Sequence, residues 1–554
     1  MEKFFKFEKP DKQTAISYLL LLAAVATVIY YMLGPSEGYI HSDCVDTMTW
    51  AGATLDSGKL FSDTFFYPYL LPFGSAFFVL PFMAVFGFTM FACRLAMLCF
   101  MIILGIGIYF TARGLGWSKP YSRGAVCLEL IIVSSSTKLR ELFWEHIIHY
   151  SLGAFLSFIL FALAFAFLKH FENNGFSFKI KSETEGKKKN SDDLPKYEKY
   201  TVILGVCLFL WAFFSAFDGL TTLALSSVPA IGAFALVILF DFKHKIVSKE
   251  NLSLLYAFII IAAATVIGTL FLNSASADIS TAYGSAYSNI VNSDEWSNNL
   301  LKFLQQWTSL LGADYETGGA ITSGKNILAA IKMAGSLVLF LTPVAALFMF
   351  PKINRNERIF TIFHWLMSGF VLYGYIFGNL SSVNWRLSPI ICSAIITDMI
   401  VWKAVWSAFN VKRGAVLLAA LVAASGVVTT CQIWSMPFDY GRDNDLHKAV
   451  ELLEKNGLDY GYATYWNANI LTLLSSSKVK VRDVNIDEDE PRAGWLNSDG
   501  IWFEDQPDRD TYFFLLTQSE YESASERNHV ILENAREIIS EGNWVVVVKN
   551  ENIF

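Results

Sequence analysis

The chain has 554 residues, of which 54% are apolar, 15% aromatic and only 17% charged, with repeated apolar stretches of membrane length (roughly 17–25 residues), which excludes an ordinary soluble enzyme with one large core. Its net charge of −7 is uneven: from Ser435 onward 11 lysines and arginines stand against 23 aspartates and glutamates, a balance that argues against a nucleic-acid partner. Cys93, Cys99, Cys127, Cys207 and Cys392 fall inside apolar runs, the tail has no cysteine, and no metal-ligand spacing is apparent among them.

The opening MEKFFKFEKPDKQ is rich in lysine and places the N-terminus on the cytoplasmic side. A first span at 16–33 follows; it is long, lacks a small-residue cleavage site and precedes further spans, so it reads as retained rather than as a signal peptide. Beyond it lies YIHSDCVDTMTWAGATLDSGKLFSDTFFYPYLLPFG, residues 39–74, the stretch around which the chain is organised. The next apolar segment, 69–87, is interrupted by prolines at 68, 72 and 81. If it crossed, Arg113, Lys119, Arg123 and the loop 169–199 with Lys187, Lys188 and Lys189 would lie outside; as a helix resting on the outer leaflet it leaves every basic loop inside.

Spans are then expected at 88–110, 121–137, 150–168, 200–217, 223–240, 253–271, 329–350, 359–377, 387–406 and 414–434. With the first span these make eleven crossings, with the N-terminus inside and the C-terminus outside, and lysines such as Lys243, Lys245 and Lys352 mark the inner ends. In the outer loop 272–328, the piece WSNNLLKFLQQWTSLLG repeats Leu300, Leu301, Leu304, Trp307, Leu310 and Leu311 at helical spacing. The tail, 435–554, reads as a small α/β domain. Asp445 caps a helix that Gly457 ends, strands fall at YGYATYW, VKVRDV, TYFFLLT and WVVVVKN, and a second helix is expected at 525–540. It has no glycine-rich phosphate loop.

Polar groups expected at the outer surface form the candidate chemistry. Asp43 and Asp46 sit just beyond the first span, where carboxylates are costly unless they face water, a partner or a substrate. A carboxylate at 43 can take the proton of an acceptor hydroxyl; otherwise it solvates the helix exit or caps the next helix. Arg386, in SSVNWRLSP with Asn384, carries a fork suited to a phosphate oxygen, or else snorkels to lipid headgroups. Glu141, Glu145, His146 and His149 in RELFWEHIIHY, and Asp218 after the fifth span, are candidate metal or acceptor ligands. EHIIH is not a zinc-protease motif, because its acid precedes both imidazoles and their spacing is three. Asp56, Lys59 and Asp63 look like turn residues, and Phe65, Phe66, Tyr67 and Tyr69 are interfacial anchors or sugar platforms.

Together these pieces resemble the GT-C superfamily of integral-membrane glycosyltransferases, which includes protein O-mannosyltransferases and the enzymes that place aminoarabinose on lipid A. The resemblance is carried by Ser42–Asp43–Cys44, by FSDTFFYPYLLPFG, by FGFTMFACRLAM with Arg94, and by Asn384–Trp385–Arg386–Leu387 with Pro389. It implies a polytopic α-helical fold with juxtamembrane helices in the first outer loop, and Asp43 as catalytic base. Cys44 stands where the family has a glutamate, so that Asp46 takes that part. It further implies a second-loop acid at Glu141 or Glu145, and donor-phosphate contacts from Arg386, Asn384, Arg94, Tyr67 and Tyr69. The expected donor is a polyprenyl-phosphate sugar, the acceptor a cell-envelope glycan, lipid or protein, and the location a bacterial plasma membrane with the tail outside. Some branches use Mg²⁺ or Mn²⁺ and others no metal. Two other readings stay open: a flippase or transporter, which would need polar groups near the midplane of several spans, and a non-catalytic assembly factor acting through its tail.

Overall fold

The computed structural model describes residues 11–72, 76–174, 196–241, 248–283, 289–408, 412–488, 490–506 and 509–554. Phe73 to Ser75, the basic run at 187–189 and the lysines at 243 and 245 lie outside the described residues.

Helix α1 (Lys12–Leu33) begins at Asp11, whose carboxylate accepts the Thr14 N–H at 2.9 Å and so satisfies one of the four unpaired donors of the first turn. A 3₁₀ turn leads into α2 (Ser42–Ser57), which Gly58 ends at φ +66°. After the two-residue strand β1 (Phe65–Phe66) comes α3 (Phe77–Phe86), ten residues with Pro81 inside and too short to cross a bilayer. That agrees with the expected juxtamembrane helix. Then follow α4 (Met90–Gly114), α5 (Lys119–Ile132), the single turn α6 (Thr137–Arg140) that continues as a π turn over Glu141–Glu145, and α7 (Leu152–Asn174).

The next apolar run breaks into α8 (Lys196–Ser215), the single turn α9 (Gly219–Thr222) and α10 (Val228–Asp241), joined by a 3₁₀ turn and a π turn. Helices α11 (Lys249–Ala275), α12 (Glu295–Leu310), α13 (Gly324–Met349), α14 (Arg355–Phe377), α15 (Ser388–Ala408) and α16 (Lys412–Trp434) complete this part.

Among the described residues, nine segments are long and apolar enough to cross a membrane, against eleven expected. The differences have physical causes. Segment Lys199–Phe240 is one apolar run of 42 residues, interrupted at 216–227, and α5 has only 14 residues, about 21 Å of helix against a hydrocarbon core of about 30 Å. The chain is a multi-pass membrane protein. Helices α7 and α15 form its centre, their apolar windows 72% buried, while α1, α11 and α16 are only one-third buried. Leu19 and Leu22, Val266 and Leu270, and Leu417 point outward from the last three, as suits a face whose solvent is lipid. Ionisable groups are not confined to helix ends. Glu129 on α5, His364 on α14 and Asp398 on α15 are buried within the bundle.

Helix α12 forms where the helical spacing of its apolar residues places it, but those residues divide between two faces. Phe303, Trp307 and Leu310 turn inward, and the Trp307 indole N–H donates to the Ser336 carbonyl at 2.8 Å; Leu300, Leu301 and Leu304 are exposed.

The C-terminal region carries a six-stranded sheet in the order β4-β3-β2-β6-β8-β7. Helix α17 (Asp445–Lys455) is capped by Asn444 rather than Asp445, and Gly457 turns the chain at φ +67°. Strand β2 (Tyr460–Ala463) pairs in parallel with β3 (Lys480–Asn485) and β6 (Tyr512–Thr517), with α18 (Asn469–Leu474) on the first crossover. β4 (Arg492–Ala493) extends one edge, and β5 (Ser498–Asp499) leaves this sheet to pair antiparallel with β1 of the first loop. Apolar β6 and β8 (Trp544–Lys549) pair at the centre as buried strands do. The helix expected at 525–540 is corrected to α19 (Gln518–Glu526) and strand β7 (Glu537–Glu541). Thr517 and Glu520 form a capping box eight residues early, and Gly542 at φ +62° closes a β7–β8 hairpin.

The two ends of the membrane part meet. Tyr30 donates to the Met436 carbonyl at 2.7 Å, the Trp434 indole donates to Thr27 at 3.0 Å, and the Tyr30 and Trp434 rings stack at 4.4 Å.

Candidate active site

Where the first loop, the turn before α15 and the tail converge, they enclose a chamber of about 610 Å³. Asp43 and Asp46 of α2 face it, with Tyr69, Tyr150 and Tyr283, the pair Trp385–Arg386, and from the tail Tyr465, Trp466, Asp483, Asp487, Trp495 and Glu520. The acid beyond the first span and the late-arriving guanidinium therefore line the same space. Arg386 is held by a 3₁₀ turn over Asn384–Leu387 at the start of α15, and the Trp385 ring beside it takes the Lys138 ammonium 4.6 Å from its centre.

The two acids are joined through the tail. Tyr465 donates its hydroxyl proton to Asp43 Oδ1 at 2.7 Å, and the same oxygen lies 3.3 Å from Asp46 Oδ1. Asn497 donates from Nδ2 to Asp46 Oδ1 at 2.5 Å. Its carbonyl oxygen accepts the Trp50 indole N–H at 2.6 Å, and since an indole can only donate, that bond fixes which way the amide points. Asn497 sits at φ +52°, a left-handed conformation that asparagine tolerates better than most residues. Burial pushes the Asp46 carboxyl well above the usual carboxylate range, the Asp43 charge adds to this, and Tyr465 partly offsets it. A tyrosine has one proton to give. Directed at Asp43, it leaves Asp43 the acceptor and Asp46 the group favoured to hold a proton.

The second loop packs directly behind. The π turn places residues five apart on one side, and the His146 N–H donates to the Glu141 carbonyl at 2.9 Å. Glu141 and Glu145, four apart, meet different partners: His41, His146 and Lys138 for the first and Tyr31 for the second. Burial raises the Glu141 carboxyl, but contacts to His146, His41 and Lys138 outweigh it and hold the group well below its ordinary value. Glu145 is fully buried, accepts the Tyr31 hydroxyl and is pushed up to about 7 by burial. His149 packs on Trp50 and stacks on Tyr150 at 4.2 Å; burial, then His146 and Arg386, lower its imidazole well below the ordinary range. Ile148 between the histidines has φ +64°, rare for a β-branched residue and a sign that its surroundings over-determine the loop.

Several expected contacts lie elsewhere. Arg94 is corrected from donor-phosphate ligand to a structural tie, since Glu37 takes its guanidinium and the Tyr440 ring lies 5.4 Å away. Tyr67 is buried; its hydroxyl accepts the Ser62 N–H at 3.0 Å, so it braces the first loop instead of facing the chamber. Asn384 opens the turn that carries Arg386 but does not line the chamber, nor does the buried Asp218, which sits in the 3₁₀ turn packed on α8 and α11. Glu141, Glu145, His146 and His149 stand behind the chamber wall. Asp56, Lys59 and Asp63 are exposed, with Lys59 and Asp63 paired, as turn residues would be. Tyr465, Asn497 and Tyr150 were missed; no motif marks them, and only the fold brings them to the acids.

No protein-family model matches the chain, and no curated protein matches it by sequence. Solved structures do. The chain is similar to the apo oligosaccharyltransferase of Archaeoglobus fulgidus, with TM-score 0.43 and 12% identity over 86% of this chain; it spans 65% of that protein's length. It is also similar to ArnT from Cupriavidus metallidurans bound to undecaprenyl phosphate, with TM-score 0.48 and 11% identity over 96% of this chain and 97% of that one.

Proposed function

We propose that the chain is an inverting GT-C-type glycosyltransferase that moves a sugar from a polyprenyl-phosphate donor to an envelope glycan, lipid or protein on the outer face of a bacterial plasma membrane. The observation that supports it is the placing of Asp43 and Arg386 on one chamber of about 610 Å³, within the usual size of a small-ligand pocket. Asp43 takes the proton of the acceptor hydroxyl while that oxygen attacks the sugar's anomeric carbon from the side opposite the phosphate. The bond to the phosphate oxygen breaks, its electron pair leaves with the lipid phosphate, and configuration inverts. Arg386 takes up the charge growing on the leaving phosphate, and Tyr465 orients Asp43. Carboxyl groups of Asp43, Asp483, Asp487 and Glu520 line the chamber, but among the described residues no three of them converge as the oxygen ligands of one Mg²⁺ or Mn²⁺ would, so no step is routed through an ion.

Glu129 and Asp398 in the bundle interior are what would favour a transporter. The space beside them favours the transferase reading. The cavity beside Cys392, which contacts Glu129, is about 10 Å³, room for a water and not for a lipid headgroup.

The test is purified protein incubated with radiolabelled polyprenyl-phosphate sugars and membrane extract. Transfer is expected from wild type, and Asp43→Asn is expected to lose at least about 10²-fold of it while still binding donor. Full activity in D43N would overturn the assignment.

A further inference from the structure

The tail wall of the chamber carries a run of residues that the transfer step leaves unused, 483–487, which reads DVNID. Side chains alternate along a strand, so Asp483 and Asn485 fall on one face of β3 and Asp487 continues the row; all three line the chamber. We infer that Asp483, with Asp487 and the ring of Trp495 beside it, forms a subsite for a protonated primary amine, and that the acceptor is a glycan with free amino sugars. The subsite rests on the transferase reading only in assigning that amine to the acceptor.

Most of the carboxyls that line the chamber are already engaged. Asp43 and Asp46 meet Tyr465, and Asn497 also reaches Asp46. Glu520 accepts the Thr464 hydroxyl at 2.7 Å with one oxygen and closes the capping box of α19 with the other. Asp487 is exposed to water. Asp483 differs. It is only 4% exposed, and among the described residues no donor gives its carboxyl group a hydrogen bond. That group lies over Gly494, whose N–H donates to the Asp483 carbonyl at 2.9 Å; an added Cβ at 494 would collide with Cγ and Oδ2, so glycine keeps this floor clear. Buried carboxyl groups are normally satisfied, and the side from which a partner can reach this one is the chamber.

Charge decides the chemistry of that partner. The lining holds five carboxyls, Asp43, Asp46, Asp483, Asp487 and Glu520, against one guanidinium, Arg386, which the proposed mechanism gives to the lipid phosphate. A sugar hydroxyl would satisfy one oxygen of Asp483 and leave the charge of the chamber as it was. An ammonium satisfies the oxygen and supplies the counter-charge as well. Burial alone lifts the Asp483 carboxyl to about 7, and a cation beside it would reverse that. Trp495 follows Gly494 directly and is 55% exposed to the chamber's space, as Trp466 is at 58%. An indole face attracts a cation and also covers the flat face of a sugar ring, so an amino sugar uses both properties where a lysine side chain uses one. Held as ammonium against Asp483, the amine has no lone pair with which to attack, which leaves a hydroxyl of the same glycan to Asp43.

The probes are a tetramer of glucosamine, with free amines, and its fully N-acetylated counterpart, titrated by calorimetry into the full-length protein in detergent with no sugar donor present. Wild type is expected to bind the free-amine tetramer at least about 10-fold more tightly. Asp483→Asn, which keeps the shape of the side chain, should lose that preference, and Trp495→Leu, at an exposed position, should reduce it about threefold. Thermal melts report whether each variant is folded, and the leucine variant leaves the buried carboxyl untouched, so misfolding of one leaves the other to decide. Equal binding of the two tetramers, no binding of either, a preference kept by D483N, or tighter binding of tetralysine would overturn the subsite. So would an Asp483-dependent preference shown only toward polyprenyl-phosphate donors that carry an amino sugar, which moves the amine to the donor. Binding is read without turnover, so loss of transfer with the preference intact would refute the transferase reading and leave amine recognition standing.

Discussion

A single phenolic oxygen connects the two acids of the first loop, and it arrives from the opposite end of the chain. At this scale the sequence was partly legible. Asp43 and Arg386 stood out because charge beside a membrane-length apolar run is costly and needs a reason. Tyr465 and Asn497 did not, since tyrosine and asparagine in a polar tail carry no such cost and their roles depend on neighbours more than 400 residues away. Arg94 drew attention for the reason that Arg386 did, but Glu37 had already claimed it. Asp483, on the chamber's tail side, offers a residue-level test. Burial lifts its carboxyl from 3.8 to about 7, so the folded protein keeps a proton that the unfolded chain has released. Stability is therefore lost as pH rises from about 4 to 7, by up to ~1.4 kcal/mol per pH unit from this group, and no further loss comes from it above that window. Thermal melts of Asp483→Asn against wild type between pH 5 and 7 should show a shallower fall in Tm for the variant.

Among the elements, those declared by long apolar periodicity were readable, and those declared by pairing were not. The helices α4, α7, α11, α13 and α16 lie where composition put them. The segment 525–540 has a composition that suits a helix, yet its second half forms edge strand β7 because β8 offers it a ladder of hydrogen bonds. The two-residue pair β1–β5 could not be foreseen at all, as neither strand is long enough to show alternation. What holds it is Asn497, whose N–H donates to the Phe66 carbonyl at 2.9 Å while its side chain bridges Trp50 and Asp46. Asn497→Ala leaves a buried indole N–H and a buried carboxyl without their partner, which should cost about 1–3 kcal/mol. Asn497→Gly keeps the left-handed backbone comfortable, so a similar loss of Tm in both variants would assign the effect to the side chain. Loss confined to the alanine variant would assign it to the backbone.

Taken as a whole, the molecule is a polytopic helical bundle whose candidate site is assembled from pieces scattered over the chain, and the sequence resemblance rests on local pieces alone, the first loop and the turn at 384–387. Arg386 tests the assembled chamber. Arg386→Ala is expected to lower kcat about 10²–10³-fold with little change in acceptor KM, and Arg386→Lys to restore part of it, since an ammonium keeps the charge but not the fork. Steady-state kinetics with varied donor and acceptor would check both.

The bond between Asp46 and Asn497 spans 451 residues, which has a consequence for how a newborn chain matures. At 5–20 residues per second, a ribosome needs roughly 20–90 s to reach the asparagine after it has made the aspartate. Throughout that interval the carboxyl, the Trp50 indole and the rim of the first loop must wait in water or in the care of a chaperone. The acid pair of the first loop thus gains its partners only when the tail has been made.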